Sequence, residues 1–422
     1  MNVLIISPLF PLPVVSGGST RLYNLIRHTG RRHALHMVSL ARAEQQGCNG
    51  ELDGLAAPAA LVPGKVNATF REQLIDALAP ANWPRTVRRF MDRVRNVPRS
   101  VSRIYFPAFQ QTIKQTLIGG RYDVVQLEFT ETARYIPLIR KHAPRARIVL
   151  EEIDIAYISL QRLIETSADN SVGSRSRATA ADPINAELAR LTAFERRAWR
   201  QCDAIVTMSD VDRDHILSFG HDPASVSSVP NGVDLDQFSF RPPTTEGARV
   251  LFLGFFKHTP NVTGLLHFVN NVWPQVRARV PQACLEVVGA QAPPEIARLN
   301  GENGIRLHGY VPDVREIMRQ CRVMAAPILH GSGTRLKILE SFAVGLPVVS
   351  TRIGCEGIEA RHGKHALIAD SPADMADAVV TLLNDREKAR QLAQNARRLV
   401  EEHYAWPAIA SRLEEVWHHV VQ

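Results

Sequence analysis

The stretch His330-Gly331-Ser332-Gly333-Thr334-Arg335-Leu336-Lys337-Ile338-Leu339-Glu340 follows a short apolar run, Val323 to Ala326, and leads into Leu336 to Val344, where the apolar spacing predicts a helix. A strand that turns through glycines into a helix is the building unit of a doubly wound α/β sheet. Ligands of such sheets sit beyond the carboxyl ends of the strands, where this loop lies. A helix start carries partial positive charge and ordinarily attracts Asp or Glu. This one receives Arg335 and Lys337 beside Gly331 and Gly333. On their own, the two cations cost up to about 1 kcal/mol each at that end. A diphosphate seated on the loop reverses the sign, because charge-assisted hydrogen bonds contribute about 1.5–3 kcal/mol apiece. The plainer alternative is a solvated loop in which Lys337 pairs with Glu340 three residues on. Glu340, one turn into the helix, is otherwise suited to accept hydrogen bonds from two adjacent hydroxyls of a ribose.

Outward from this loop the same alternation repeats. Apolar strand runs at Val250–Leu253, Leu285–Val288, Ile305–His308, Pro347–Ser350 and Ala366–Ile368 are separated by helical stretches, with Asp313 and Ser371 as N-caps. Arg241-Pro242-Pro243-Thr244-Thr245 reads as a linker, and before it an earlier series begins: strand Val3–Ser7, loop Ser16 to Thr20, helix Arg21–His28, strand Leu35–Leu40. Gly17 and Gly18 let an anion approach that helix start, or mark a plain strand–helix turn. Strands resume at Asp123–Phe129, Arg147–Glu151 and Ala204–Ser209, Leu188–Arg200 is helical, and the polar stretch Thr166–Ala181 reads as a mobile loop. Two βα series joined by a linker predict an α/β protein of two doubly wound, Rossmann-like domains facing each other across a cleft. The last helix is expected over Trp406–Val421, starting at Pro407.

Composition narrows the class. The chain has 422 residues, 45% hydrophobic and 22% charged, which suits two or three globular domains rather than a disordered or fibrous chain. Five scattered cysteines without CxxC point to reduced thiols, and fifteen histidines without HExxH spacing give no metal site. No apolar run reaches about 18 residues, and Met1–Val15 lacks a basic start and is broken by Pro8, Pro11 and Pro13, so the expected location is the cytoplasm. The net charge of +8 is uneven, with Lys and Arg in strong excess over residues 1–150. Within an insert at about 63–120, Arg85, Arg88, Arg89, Arg93, Arg95, Arg99 and Arg103 alternate with Trp83, Val87, Phe90, Met91 and Val94. That pattern suits the inner face of an anionic membrane, or simply a solvated helical surface; no nucleic-acid motif accompanies it.

Taken with Val229-Pro230-Asn231-Gly232-Val233-Asp234, Pro260-Asn261, Val287-Val288-Gly289, His308-Gly309-Tyr310-Val311-Pro312-Asp313, Ala343 to Val349 and Gly354-Cys355-Glu356-Gly357, the glycine loop makes residues 195–405 resemble the family 4 retaining glycosyltransferases of the GT-B type. The resemblance extends to the subgroup with a GxGxRxKxxE pattern, sugar transferases of exopolysaccharide loci. It implies an acceptor-binding domain over 1–240 completed by 406–422, with the C-terminal helix crossing back to it, and a nucleotide-sugar-binding domain over 241–405. It also implies transfer of a hexosyl unit from a nucleotide-diphosphate sugar to a glycan or lipid-linked acceptor, without cofactor or metal. Glu340 would hold the ribose. Gly331, Ser332, Gly333 and Thr334, with Arg335 and Lys337, would hold the diphosphate. Gly254 belongs to the same donor site, Tyr310 and Val311 would frame the base, and Gly17 and Gly18 would approach from the first domain.

Three departures from the family stand out. The acidic residue usual eight positions before the ribose-binding Glu is Ser332. The Arg and Lys usual after the first strand of the second domain fall near Phe255 and Pro260, which leaves the diphosphate to Arg335 and Lys337, with Lys257 nearby. The histidine often found at a strand end of the first domain is Glu128 or Ile153. Glu128 and Asp154 are therefore candidates for touching a sugar, or structural carboxylates at strand ends. An epimerase or phosphorylase on the same fold, or a non-catalytic nucleotide-sugar-binding component of a polysaccharide assembly complex, are the competing functions.

Overall fold

The computed structural model describes residues 1–14, 16–41, 45, 52, 60–63, 96–169, 183–242, 246–331 and 333–422. Arg85 to Arg95 of the basic insert, linker residues 243–245 and Ser332 lie outside the described residues. The chain divides into two compact units. One comprises Met1–Gln161, Ala168–Val229 and Ala410–Gln422, the other Arg162–Ser167 and Pro230–Ile409.

The first unit is built on a seven-stranded parallel sheet of order β3-β2-β1-β4-β5-β6-β7. Its strands are β1 (Asn2–Ser7), β2 (Ala34–Ala41), β3 (Ala60–Pro63), β4 (Val124–Glu128), β5 (Arg147–Glu152), β6 (Ala204–Thr207) and β7 (Val226–Ser228). Val3, Leu4, Ile5 and Ile6 are all buried, as a strand covered on both faces requires. Between them and the helices lies a core of Leu4, Ile6, Leu127, Ile148, Leu150 and Ile205 against Phe109, Ile113, Tyr135 and Trp199. The chain reverses its winding between β1 and β4, which makes their carboxyl ends the switch point of this sheet. From Ala410 onward the C-terminal helix belongs to this unit. Leu413 is buried, Glu414 pairs with Arg32 at 2.7 Å, and the Trp417 indole donates to Gln126 Oε1 at 2.8 Å.

The second unit repeats the plan with six parallel strands in the order β10-β9-β8-β11-β12-β13. These are β8 (Arg249–Leu253), β9 (Cys284–Val288), β10 (Ile305–Gly309), β11 (Val323–Ala326), β12 (Val348–Ser350) and β13 (Leu367–Ile368). Counted from its own first strand the order is the same, so its switch point lies between β8 and β11. The unit begins eleven residues earlier than the expected 241, because Pro230 to Val233 pack with it. Val233 N–H donates to Tyr404 O at 2.7 Å, and a Cβ on Gly232 would lie 2.6 Å from Trp406 Cδ2.

Other local expectations shift in detail. The helix Ala156–Asp169 takes in Thr166–Asp169, which had been read as the start of a mobile loop. The helix Leu336–Val344 has the expected bounds and ends at a glycine: Gly345 has φ 84, a left-handed C-cap. Ser371 caps the Pro372–Asn384 helix, accepting from Asp374 N–H. Among the described residues no helix is long and apolar enough to cross a membrane, and no group of three or more His, Cys, Asp or Glu is placed to hold a metal.

Candidate active site

Beyond β11 the chain turns through Gly331 (φ 110) and Gly333 (φ 76), conformations that a Cβ would strain, and enters the Leu336–Val344 helix at Arg335. The Arg335 guanidinium folds back to donate to Gly333 O. Thr334 is buried, and its carbonyl accepts from Asn231 Nδ2 at 3.3 Å. The Gly331 carbonyl accepts from Arg162 Nη1 at 2.7 Å, and Arg162 also makes a two-point pair with Glu356 at 2.9 and 3.1 Å. The loop is therefore pinned through its own carbonyls.

Lys337 does not pair with Glu340. Its ammonium donates to Leu253 O at 2.6 Å and to Asn261 Oδ1 at 2.8 Å, and lies 5.3 Å from the centre of the Phe252 ring. These contacts bring a cation to the carboxyl end of β8, on the switch point. Burial, with Arg335 beside it, lowers the Lys337 ammonium to about 7. Burial raises the Glu340 carboxyl to about 7, against the pull of Lys337. Among the described residues the Glu340 side chain has no hydrogen-bond or ion-pair partner.

The neighbouring strand ends are closely fitted. Gly254 N–H donates to Val288 O at 3.0 Å and Gly289 N–H to Gly309 O at 2.9 Å, so the ladder continues past the strands. A Cβ on Gly254 would lie 2.9 Å from Asn261, and one on Gly289 only 1.8 Å from Gly254 O. Asn261 is held in turn by donating to Phe255 O at 2.9 Å. Tyr310 and Val311 follow β10 on the same carboxyl side of the sheet, and Tyr310 is 67% exposed. His330, left unassigned by the sequence reading, is buried with Nε2 2.9 Å from Thr263 Oγ1; burial and Arg335 lower its pKa, so it stays neutral.

In the first unit Gly17 and Gly18 open the Gly17–Thr29 helix, capped by Ser16 and Ser19 in a reciprocal box. The reason for glycine at 18 is a ring: a Cβ there would lie 3.0 Å from Phe129 Cζ and 3.4 Å from Leu9 Cδ2. Glu128 is fully buried. Gln126 Nε2 bridges it and Glu151, at 2.6 Å to Glu128 Oε1 and 2.7 Å to Glu151 Oε2. Glu151 pairs with Arg21, which also donates to Val229 O at 2.9 Å. Burial, then the Glu151 charge, holds the Glu128 carboxyl well above the usual range. Of its two readings, the interior one fits: Glu128 is a buried carboxyl of the strand end. Asp154 is exposed beyond β5, its Oδ1 accepting from Ser159 Oγ at 2.8 Å. Arg21, Glu151 and Glu152 escaped the sequence reading. The signal was the pair Glu151-Glu152 ending an apolar strand, where one carboxylate must fall on each covered face.

Comparison with known proteins agrees with this architecture. A model for group 1 glycosyl transferases matches residues 247–385, and one for glycosyltransferase family 4 matches residues 177–237. The chain is 25% identical over 369 residues to a phosphatidyl-myo-inositol mannosyltransferase of Mycobacterium leprae, covering 82% of this chain and 88% of that one. It is 27% identical over 244 residues to a GDP-mannose-dependent alpha-(1-6)-phosphatidylinositol monomannoside mannosyltransferase of Mycobacterium tuberculosis, covering 52% of this chain and 63% of that one. Among solved structures, sucrose-phosphate synthase from Thermosynechococcus elongatus superimposes with a TM-score of 0.71 at 15% identity, covering 99% of this chain and 98% of that one. HepE of Anabaena, solved with UDP and glucose, gives 0.64 at 14% identity over 98% of each chain. Residues 177–237 and 247–385 thus match the family 4 and group 1 glycosyltransferases, on an architecture of two parallel sheets that is the GT-B fold.

Proposed function

We propose that this glycosyltransferase moves a hexosyl unit, with retention at the anomeric carbon, from a nucleotide-diphosphate sugar to a glycan or lipid-linked acceptor in polysaccharide assembly. The observation that carries the reading is the cation pair Arg335 and Lys337 at a glycine-flanked helix start on the switch point of the second sheet. The diphosphate would lie on the Gly331–Thr334 loop, where preorganised donors meet the charge that develops as the sugar leaves. Glu340, which has no hydrogen-bond partner among the described residues, would accept from the ribose hydroxyls. The neighbour solved with UDP and glucose supports a uridine nucleotide, and the GDP-mannose-dependent relative a guanosine one.

Protein cations replace a divalent metal in this proposal, and the leaving phosphate oxygen takes the acceptor proton. Glu128 has no part in it, being buried. The basic insert would bring the enzyme to an anionic membrane surface. Melting the protein with UDP-, GDP- and ADP-sugars tests the donor directly, since a ligand of the folded state raises Tm by mass action. A shift with one nucleotide, lost in Arg335→Ala and Lys337→Ala, is expected. Conversion of that donor without any acceptor would instead identify an epimerase, and binding without turnover a non-catalytic component.

A further inference from the structure

Phe129 adopts φ 65 and ψ 142, a region that glycine occupies and a phenylalanine enters only under strain. The surrounding backbone enforces it. Phe129 N–H extends the β4–β5 ladder by donating to Glu151 O at 3.1 Å, while its carbonyl accepts from Thr132 N–H at 3.0 Å and Thr132 Oγ1 at 2.8 Å. The conformation turns the ring off the end of β4 and brings its Cζ edge to Gly18, where an added Cβ would lie 3.0 Å away, on the switch point of the first sheet. Phe129 is only half-buried. The next strand end carries the exposed carboxylate of Asp154. A partly exposed aromatic face with a hydroxyl-accepting carboxylate on the same rim is the chemistry that recognises a pyranose: ring C–H groups against the π face, hydroxyls to the acid.

We infer that Phe129 is a specificity residue of the acceptor site, the platform on which the acceptor's pyranose ring packs. This rests on the glycosyltransferase reading above. Strain at Phe129 and the missing side chain at Gly18 are two parts of one device, which fixes the ring before the sugar arrives.

The experiment pairs calorimetry with UDP-glucose, GDP-mannose and ADP-glucose and saturation-transfer NMR with methyl α-glucopyranoside, α-mannopyranoside and α-galactopyranoside. It compares wild type with Phe129→Tyr, Phe129→Leu and Phe129→Ala. Leucine keeps the bulk against Gly18 and guards against simple misfolding. For at least one pyranoside, saturation should concentrate on the ring protons of one face in wild type and Phe129→Tyr. Affinity should fall about tenfold in the Leu and Ala variants, with nucleotide-sugar affinity unchanged. Equal pyranoside binding by wild type and Phe129→Ala, no pyranoside binding at all, or a nucleotide-sugar defect in Phe129→Leu overturns the inference. Pyranoside binding that follows the ring in a wild type that takes none of the three nucleotide sugars supports the platform and overturns the donor reading instead.

Discussion

The Lys337 ammonium sits 2.6 Å from the carbonyl oxygen of Leu253, so one cation ties the helix after the glycine loop to the end of β8. The same group is fixed by Asn261 at 2.8 Å and therefore needs no reorganisation to meet a phosphate. Lys337→Met should lower kcat by roughly a hundredfold, the scale on which one preorganised donor acts. Lys337→Arg should not rescue it, because a planar guanidinium cannot reproduce two contacts made by a point charge. Steady-state kinetics with the donor found by thermal shift checks both.

Donor binding should carry a proton with it. Lys337 titrates near 7 because burial and Arg335 oppose its charge. A bound diphosphate opposes that effect and raises the pKa, so at pH 8 the ammonium is neutral in the larger part of the free protein and charged in the complex. Net proton uptake on binding is expected at pH 8, read by calorimetry in buffers of different ionisation enthalpy. Lys337→Met should abolish it. Glu340→Ala should weaken the donor about tenfold, as loss of a charged acceptor for ribose hydroxyls implies.

The strand-end glycines have unequal tolerance. A Cβ at Gly289 would lie 1.8 Å from a backbone oxygen, which cannot yield, and Gly289→Ala should cost about 3 kcal/mol of stability. At Gly18 the obstacle is a ring edge at 3.0 Å, and Gly18→Ala should cost about 1 kcal/mol. Urea unfolding at constant slope separates the two cases.

Buried carboxyls give the first unit a pH slope. Glu152, accepting from Thr130 and from Trp199 Nε1 at 2.7 Å, is pushed up to about 8, chiefly by burial. Its neutral form is favoured in the folded state, so this contribution is complete below the unfolded value near 4.5 and is lost as pH rises through 8. Tm should therefore fall between about pH 4.5 and 8. Glu152→Gln, neutral throughout, should flatten that slope, as differential scanning calorimetry across the range will record.

Activity should survive EDTA, since the proposed diphosphate site is neutralised by Arg335 and Lys337. Strict dependence on Mg²⁺ or Mn²⁺ in a radiolabelled transfer assay would contradict that account.

The second unit was the more legible half. Its inner strands are short apolar runs buried on both faces, and its loops carry glycines at positive φ, so periodicity and punctuation coincide from Val250 to Ile368. The edge strands of the first sheet were not legible: Val226–Ser228 is three residues, two of them serines, and Ala60–Pro63 ends in a proline. At the site, the sequence supplied Arg335, Lys337 and Glu340 but not their partners. Leu253 and Asn261 are 84 and 76 residues from Lys337, and main-chain acceptors leave no mark in composition. Glu128 misled because a carboxylate at a strand end looks the same in sequence whether it faces water or, as here, a glutamine. The strain at Phe129 is invisible without φ.

Seven strands of the first sheet are synthesised by Ser228, yet the indole that meets Gln126 arrives only at position 417. Until then the nascent chain must leave uncovered the patch that Leu413 and Trp417 later seal. The second unit, whose own chain runs to Ile409, is also finished before that indole is made, so the first sheet is the last part of the protein to be sealed.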